Sequence, residues 1–217
     1  MNSAVIVAGG MGSRLGLKFP KQFHILSGKE ILSYSFETFL NHPKIQEVII
    51  VTHEDWIDHV RKNYPLCISV IGGKSRQDSS LNGVLATNIN SKNILIHDAA
   101  RPFISTDIID DCLSALKNSD ASAPILDSVN SLIELKENQI SSVNRKNIKS
   151  VQTPQCFKRN LIVDVLNSSI EGTDEIGMLL KFDDSKKIQL VDGDVNNIKV
   201  TTKTDLAVAT SILEGLN

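Results

Sequence analysis

The sequence is poor in cysteine: Cys67, Cys112 and Cys156 are the only three in 217 residues. They are odd in number and far apart, without the close spacing of a zinc site or a redox pair, so free thiols in a reducing interior are expected. An excess of either charge is also missing, since 23 Lys and Arg face 25 Asp and Glu for a net charge of −2. No global positive field exists to hold nucleic acid or an anionic membrane, and any affinity for phosphate must be local. No segment approaches the ~18 consecutive apolar residues of a membrane span. The N-terminal apolar run lacks a basic start and stops at Gly9, unlike a signal peptide, which makes the cytoplasm the expected location. Aromatics are few, at 5%. Trp56 and the phenylalanines lack the interleaved basic stripe of a nucleic-acid stacking surface and read as core or edge packing. The five histidines show no HExxH or comparable ligand spacing.

What is present is a globular mix, 41% hydrophobic and 22% charged, able to bury a sizeable core. One domain spanning 1–217 is expected. Apolar, β-branched runs recur at 3–8, 47–52, 67–71, 93–98 and 121–126, alternating with helical patterns near 31–38, 54–63, 78–88 and 105–118. Continuous apolar strands between amphipathic helices predict an α/β fold, a doubly wound, mainly parallel sheet covered on both faces. Ser105 or Thr106, and Thr202 or Thr204, are N-cap candidates for two helices. The stretch 127–152 breaks this rhythm: "SLIEL" and "QISSV" around the turn-like "KEN" predict a projecting, polar β-hairpin. Such an arm buries little by itself and would be stabilised by packing on a partner subunit.

"VAGGMGSRLGLKFPKQF", residues 7–23, follows the first strand with four glycines, two lysines and an arginine. Glycines there let the backbone approach a ligand and aim N–H groups at an anion. The loop has no Gly-Lys-Ser/Thr triplet of a Walker motif. Gly10 and Gly12 begin a dinucleotide fingerprint, but Leu15 stands at the third glycine position and the ribose-binding carboxylate is missing. Arg14, Lys18 and Lys21 instead supply fixed cations suited to a polyphosphate whose charge redistributes during reaction.

Four more blocks accompany that loop: "GGKSRQDS" (72–79), "HDAARPF" (97–103), "QTPQCF" (152–157) and "NIKVTTKTDL" (197–206). Together they resemble the 2-C-methyl-D-erythritol 4-phosphate cytidylyltransferase family over about residues 4–210, and the related ribitol 5-phosphate cytidylyltransferases share most of them. The resemblance implies a Rossmann-like nucleotidyltransferase fold with the hairpin as a dimerisation arm, and attack of a polyol phosphate on the α-phosphorus of CTP. A phosphate monoester is already anionic and needs no general base. The chemistry demands clustered cations and in-line positioning instead.

By the same resemblance Arg14 and Lys21 contact the triphosphate and stabilise the transition state. Ala8, Gly9, Gly10 and Gly12 lie at the CTP site, and Gly73 and Ser79 read the cytosine edge while Arg76 organises their loop. Asp98, at a strand's carboxyl end, is the expected ligand of Mg²⁺, with Asp194 as a second metal carboxylate. Lys199 sits by the reacting phosphates, Arg101 grips the acceptor's phosphate, and Ser128 and Arg145 of the arm bind it too. A homodimer with shared active sites follows, with neither nucleic acid nor membrane as partner.

Asn130, "NIKSVQ" before "TPQ", and "TDEIGML" (173–179) depart from the family pattern, and these departures are read as lying on the acceptor side. Methylerythritol phosphate is the favoured acceptor, on "HDAARPF" and Asp127-Ser128, with D-ribitol 5-phosphate as the alternative. Two further readings compete: a nucleotide-binding regulator without turnover, which would not need the acceptor-side cations, and an oxidoreductase, which lacks its fingerprint.

Overall fold

Strand β1 (Asn2–Ala8) occupies the middle of the sheet, between β4 (Glu47–Thr52) and β6 (Asn93–Asp98), and runs parallel to both. Strand β5 (Ile68–Ile71) extends the parallel block beyond β4. The computed structural model describes residues 1–10 and 19–216. On the other side of β6 lies β11 (Gln155–Lys158), antiparallel to it, and then β7 (Ala121–Asp127). Strands β10 (Lys149–Val151) and β11 follow one another along one edge of β7. Val151 pairs with Ile125 and Cys156 with Ser122. Strand β12 (Ile188–Asp192) runs parallel along the other edge. The sheet is thus mixed but mainly parallel.

Successive residues of a strand face opposite sides, and this parity divides the core. Ala4, Ile6, Val48, Ile50, Leu95 and Cys156 pack on one face with α1 (Ile31–Leu40) and α4 (Thr106–Ala115). Val5, Ile49, Val51, Ile94, Ile96 and Phe157 pack on the other with α3 (Arg76–Leu85), α5 (Arg159–Asn167) and α6 (Glu175–Phe182). Burial on both faces is why these strands read as unbroken apolar runs. The short α2 (Ile57–Asn63) adds Val60 to the first face. Two-residue strands β2 (Ile25–Leu26) and β3 (Lys29–Glu30) form a small hairpin, on which α7 (Lys203–Leu216) closes through Leu26, Ile31, Val200 and Ala209.

Of the N-cap candidates, Ser105 accepts the Ile108 N–H and Thr202 accepts that of Asp205. The expected hairpin forms from β8 (Leu132–Lys136) and β9 (Gln139–Val143). Its two-residue turn, Glu137-Asn138, has φ of 46° and 67°, the left-handed pair that matches strand twist in tight hairpins. Strands β11 and β12 and helices α5 and α6 go beyond the sequence reading. No described helix is long and apolar enough to cross a membrane.

Candidate active site

A cleft of about 310 Å³ opens at the carboxyl ends of β1 and β6, with Gly9, Gly10, Lys21, Gly73, Arg76, Ser79, Asp98 and Lys199 among its lining residues. Its floor is built first. Ala8 is buried, and its carbonyl accepts a hydrogen bond from the buried Gln22 Nε2, which ties the end of β1 to the chain just beyond the glycine loop. Gly12, Arg14 and Lys18 lie outside the described residues.

The second wall is the turn into α3. Ser75 caps that helix and exchanges hydrogen bonds with Asp78 in a capping box. Ser79 Oγ accepts the Gly73 N–H at 3.1 Å and donates to the Ser75 carbonyl at 2.9 Å. A Cβ on Gly73 would overlap Asp78, so this turn needs glycine for close packing. Ser79, expected to read the base, here also staples the loop that carries Gly73.

Asp98 is the electrostatic centre. Its Oδ2 lies 2.7 Å from Lys199 Nζ and 3.7 Å from Arg101 Nε, and its Oδ1 lies 3.5 Å from Arg76 Nη2. Burial by itself would raise the carboxyl's pKa; Lys199, Arg76 and Arg101 outweigh it and hold the group well below the ordinary carboxylate range. Three cations around one carboxylate leave positive charge for an incoming anion. Lys199 reaches this point because the Val200 N–H donates to the Ala100 carbonyl, and the buried Asn197 bonds the Thr153 carbonyl through Nδ2.

Behind Asp98, His97 is fully buried, and burial pushes its pKa down to about 4. The Arg101 carbonyl, 2.9 Å from Nε2, can only accept, so Nε2 carries the proton. Nδ1 then accepts from Thr153 Oγ1 at 3.0 Å, which in turn accepts the Asp98 N–H at 3.1 Å. A neutral imidazole with a single tautomer thus fixes the backbone at the carboxylate.

Arg101 adjoins this group, and its Nη1 donates to the Asn197 carbonyl at 2.7 Å. Ser128 and Arg145 come together at the base of the hairpin and do not line the cleft. Ser128 Oγ donates to the Asn130 carbonyl and Arg145 Nη1 to that of Val129. Asp194 lines a separate groove beside Tyr34 and Phe103, and its Oδ1 accepts from the Asn196 N–H.

No three His, Cys, Asp or Glu side chains gather into a metal cage among the described residues. The donor chemistry still fits Mg²⁺, which takes one or two carboxylates and completes its shell with phosphate oxygens and water. Asp98 lines the cleft and offers Oδ1, whose cationic neighbour Arg76 stands 3.5 Å away.

The sequence reading missed Glu175. It placed "TDEIGML" on the acceptor side, whereas Glu175 is fully buried and pairs with Arg76 of the α3 turn at 2.7 Å. No local signal marks it, because the pair joins residues distant in sequence. Lys74 and Gln22 are further cleft residues that the sequence did not single out.

A mainly parallel α/β sheet with a glycine-edged, cation-rich cleft at its strand ends defines a nucleotidyltransferase-type protein. The sequence matches the 2-C-methyl-D-erythritol 4-phosphate cytidylyltransferase family over residues 2–215. An enzyme of that name from Clostridium botulinum (strain Langeland) is 37% identical over 227 residues, covering 99% of this chain and 98% of its own. Another, from Thermotoga neapolitana, is 35% identical over 213 residues, covering 96% and 95%. The crystal structure of 4-diphosphocytidyl-2C-methyl-D-erythritol synthase from Anaerococcus prevotii superposes with a TM-score of 0.87 at 27% identity, covering 99% and 96%. The chain belongs to the 2-C-methyl-D-erythritol 4-phosphate cytidylyltransferase family.

Proposed function

We propose that this chain transfers CMP from CTP to 2-C-methyl-D-erythritol 4-phosphate, a step in making isoprenoid precursors. An oxygen of the acceptor's phosphate forms a bond to the α-phosphorus, and the bond to the bridging oxygen breaks. Pyrophosphate leaves with that electron pair, and the product is CDP-methylerythritol. The observation that carries this reading is the Asp98 cluster, one carboxylate ringed by Lys199, Arg76 and Arg101 beside the glycine edges. Membership of the family supports the methylerythritol acceptor over ribitol 5-phosphate, which none of the relatives described above has in its name.

Repulsion between two anions is the main barrier, and fixed cations lower it when they face charge that develops in the transition state. Lys21, Lys199 and Arg14 take that role. Ala8, Gly9, Gly10 and Gly12 bring backbone close to the nucleotide, with Gly73 and Ser79 toward the base. Asp98 would hold Mg²⁺, which when bound would neutralise phosphate oxygens, and Asp194 is the further carboxylate assigned to it. Ser128, Arg145 and Arg101 bind the acceptor's phosphate. Ser128 and Arg145 do so across a homodimer whose arm reaches a partner's cleft, since the arm carries them outside the cleft of their own chain. The working compartment is the cytoplasm.

The test is pyrophosphate release from CTP and Mg²⁺ with methylerythritol 4-phosphate and, in parallel, D-ribitol 5-phosphate. Turnover with the first alone is expected. Turnover with ribitol phosphate alone would transfer the assignment, and CTP binding without turnover on either would favour the regulatory reading. Arg145→Ala should raise KM for the polyol phosphate and leave that for CTP unchanged.

A further inference from the structure

Glu175 opens α6 with no exposed surface. Its Oε1 accepts from Arg76 Nη1 at 2.7 Å and from Ser80 Oγ at 2.6 Å. The other terminal nitrogen of Arg76, Nη2, faces Asp98 Oδ1 at 3.5 Å. One guanidinium therefore stands between two carboxylates: Glu175 in the core and Asp98 in the cleft. A lysine could not divide itself this way, because the planar fork presents separate nitrogens in fixed directions.

Glu175 is anchored more firmly than its partner. Asp174, the residue before it, caps α6 by accepting the Gly177 N–H and also accepts from Gln155 Nε2 at 2.7 Å, while Gln155 Oε1 receives the Ile176 N–H at 2.9 Å. These bonds bolt the start of the helix to β11. A carboxylate held so rigidly away from water persists only with a close cation, and Arg76 supplies it. Asp98 has a second cation in Lys199, whose side chain is 41% exposed and able to turn toward a phosphate.

We propose that Glu175 is a positioning residue for nucleotide binding, which holds Arg76 back from Asp98 and so keeps Oδ1 of that carboxylate available to the metal–triphosphate. Without the Glu175 charge, the nearest anion to Arg76 is Asp98. The guanidinium would then close on it as a forked ion pair and compete with CTP and its cation. The acceptor is little affected, because Arg76 belongs to the turn that lines the nucleotide side. The proposal deepens the cytidylyl-transfer reading and rests on it.

The experiment is calorimetric titration of CTP with Mg²⁺, without acceptor, into the wild type, Glu175→Gln, Arg76→Met and the double variant. The wild type should bind. Glu175→Gln should weaken binding about 10-fold, a loss that largely disappears in the Arg76→Met background, as expected for coupled neighbours. Unchanged affinity in Glu175→Gln, or losses that simply add in the double variant, would overturn the proposal while leaving CTP binding by the wild type intact. No binding by the wild type would instead overturn the cytidylyl-transfer reading on which it rests. Should Glu175→Gln fail to fold, Glu175→Asp keeps the buried charge but draws the carboxylate back from Arg76 by one methylene, loosening the same restraint. It should weaken CTP about threefold, and unchanged affinity there would equally sink the idea.

Discussion

Lys199 Nζ lies 2.7 Å from Asp98 Oδ2, so a cation from the last loop before α7 rests on the carboxylate at the end of β6. Neither residue has a sequence neighbour that could create this pair. It exists because the segment around Lys199 is held on both sides, by the Val200 N–H on the Ala100 carbonyl after β6 and by Asn197 Nδ2 on the Thr153 carbonyl before β11.

Lys199→Ala should therefore lower kcat/KM by about 100- to 1,000-fold, the usual cost of losing one donor aimed at developing charge. Steady-state pyrophosphate release would measure it. Near wild-type activity would remove Lys199 from the charge-stabilising set.

Acid should destabilise the fold through His97. The unfolded imidazole takes a proton near pH 6.5, whereas the buried one stays neutral down to about 4. Between those values the unfolded chain binds more protons, so stability falls as the pH is lowered, by roughly 3 kcal/mol across the window. Urea unfolding at pH 7.5 and 5 should show the slope in the wild type and a flatter one in His97→Gln. Equal slopes would assign the effect to other groups.

Asp98 titrates in a lower window. Its folded pKa is depressed, so the stability it contributes is complete above the unfolded value, about 3.9, and is lost as the pH falls through the folded one. The stability difference between wild type and Asp98→Asn should stay constant from pH 8 to 5 and shrink below about pH 4. A difference that already shrinks above pH 5 would contradict the depressed value.

Gly73→Ala should damage the site locally. The added methyl overlaps Asp78 and disturbs both the Ser75 capping box and the Ser79 staple. A loss of about 1–3 kcal/mol in stability is expected from such overpacking, with a larger proportional loss in CTP affinity. Unchanged thermal unfolding and CTP binding would show that the turn yields freely.

The hairpin offers a test of dimer formation. Ile133, Leu135 and Ile140 are 67%, 66% and 70% exposed, and Leu135 pairs directly with Ile140 across the strands. Leu135→Glu with Ile140→Glu should shift sedimentation toward the monomer while barely moving the unfolding of the isolated chain. A dimer that survives both charges would place its interface elsewhere.

Much of the frame was readable in the chain itself. Apolar runs at 47–52 and 93–98 coincide with β4 and β6 because strands buried on both faces must be continuously apolar. The "KEN" turn marked the hairpin for an equally local reason, Glu137 and Asn138 being its left-handed pair. The glycine and lysine blocks likewise pointed to phosphate chemistry through residue type and spacing.

Other features depended on the folded chain. The antiparallel β11, wedged between β6 and β7, follows from strand pairings that no local pattern encodes. Burial chose the protonation state of His97, and packing brought Glu175 from α6 to Arg76 at the rim of the cleft. Asp194, a second metal carboxylate by sequence resemblance, has its Oδ1 on the Asn196 N–H and lines a groove with Tyr34 and Phe103, a placement no local pattern encodes. Sequence determined which chemistry the residues could supply, since charge, backbone freedom and periodicity are local properties. Tertiary structure decided which of them meet, since that depends on distances set by the whole chain.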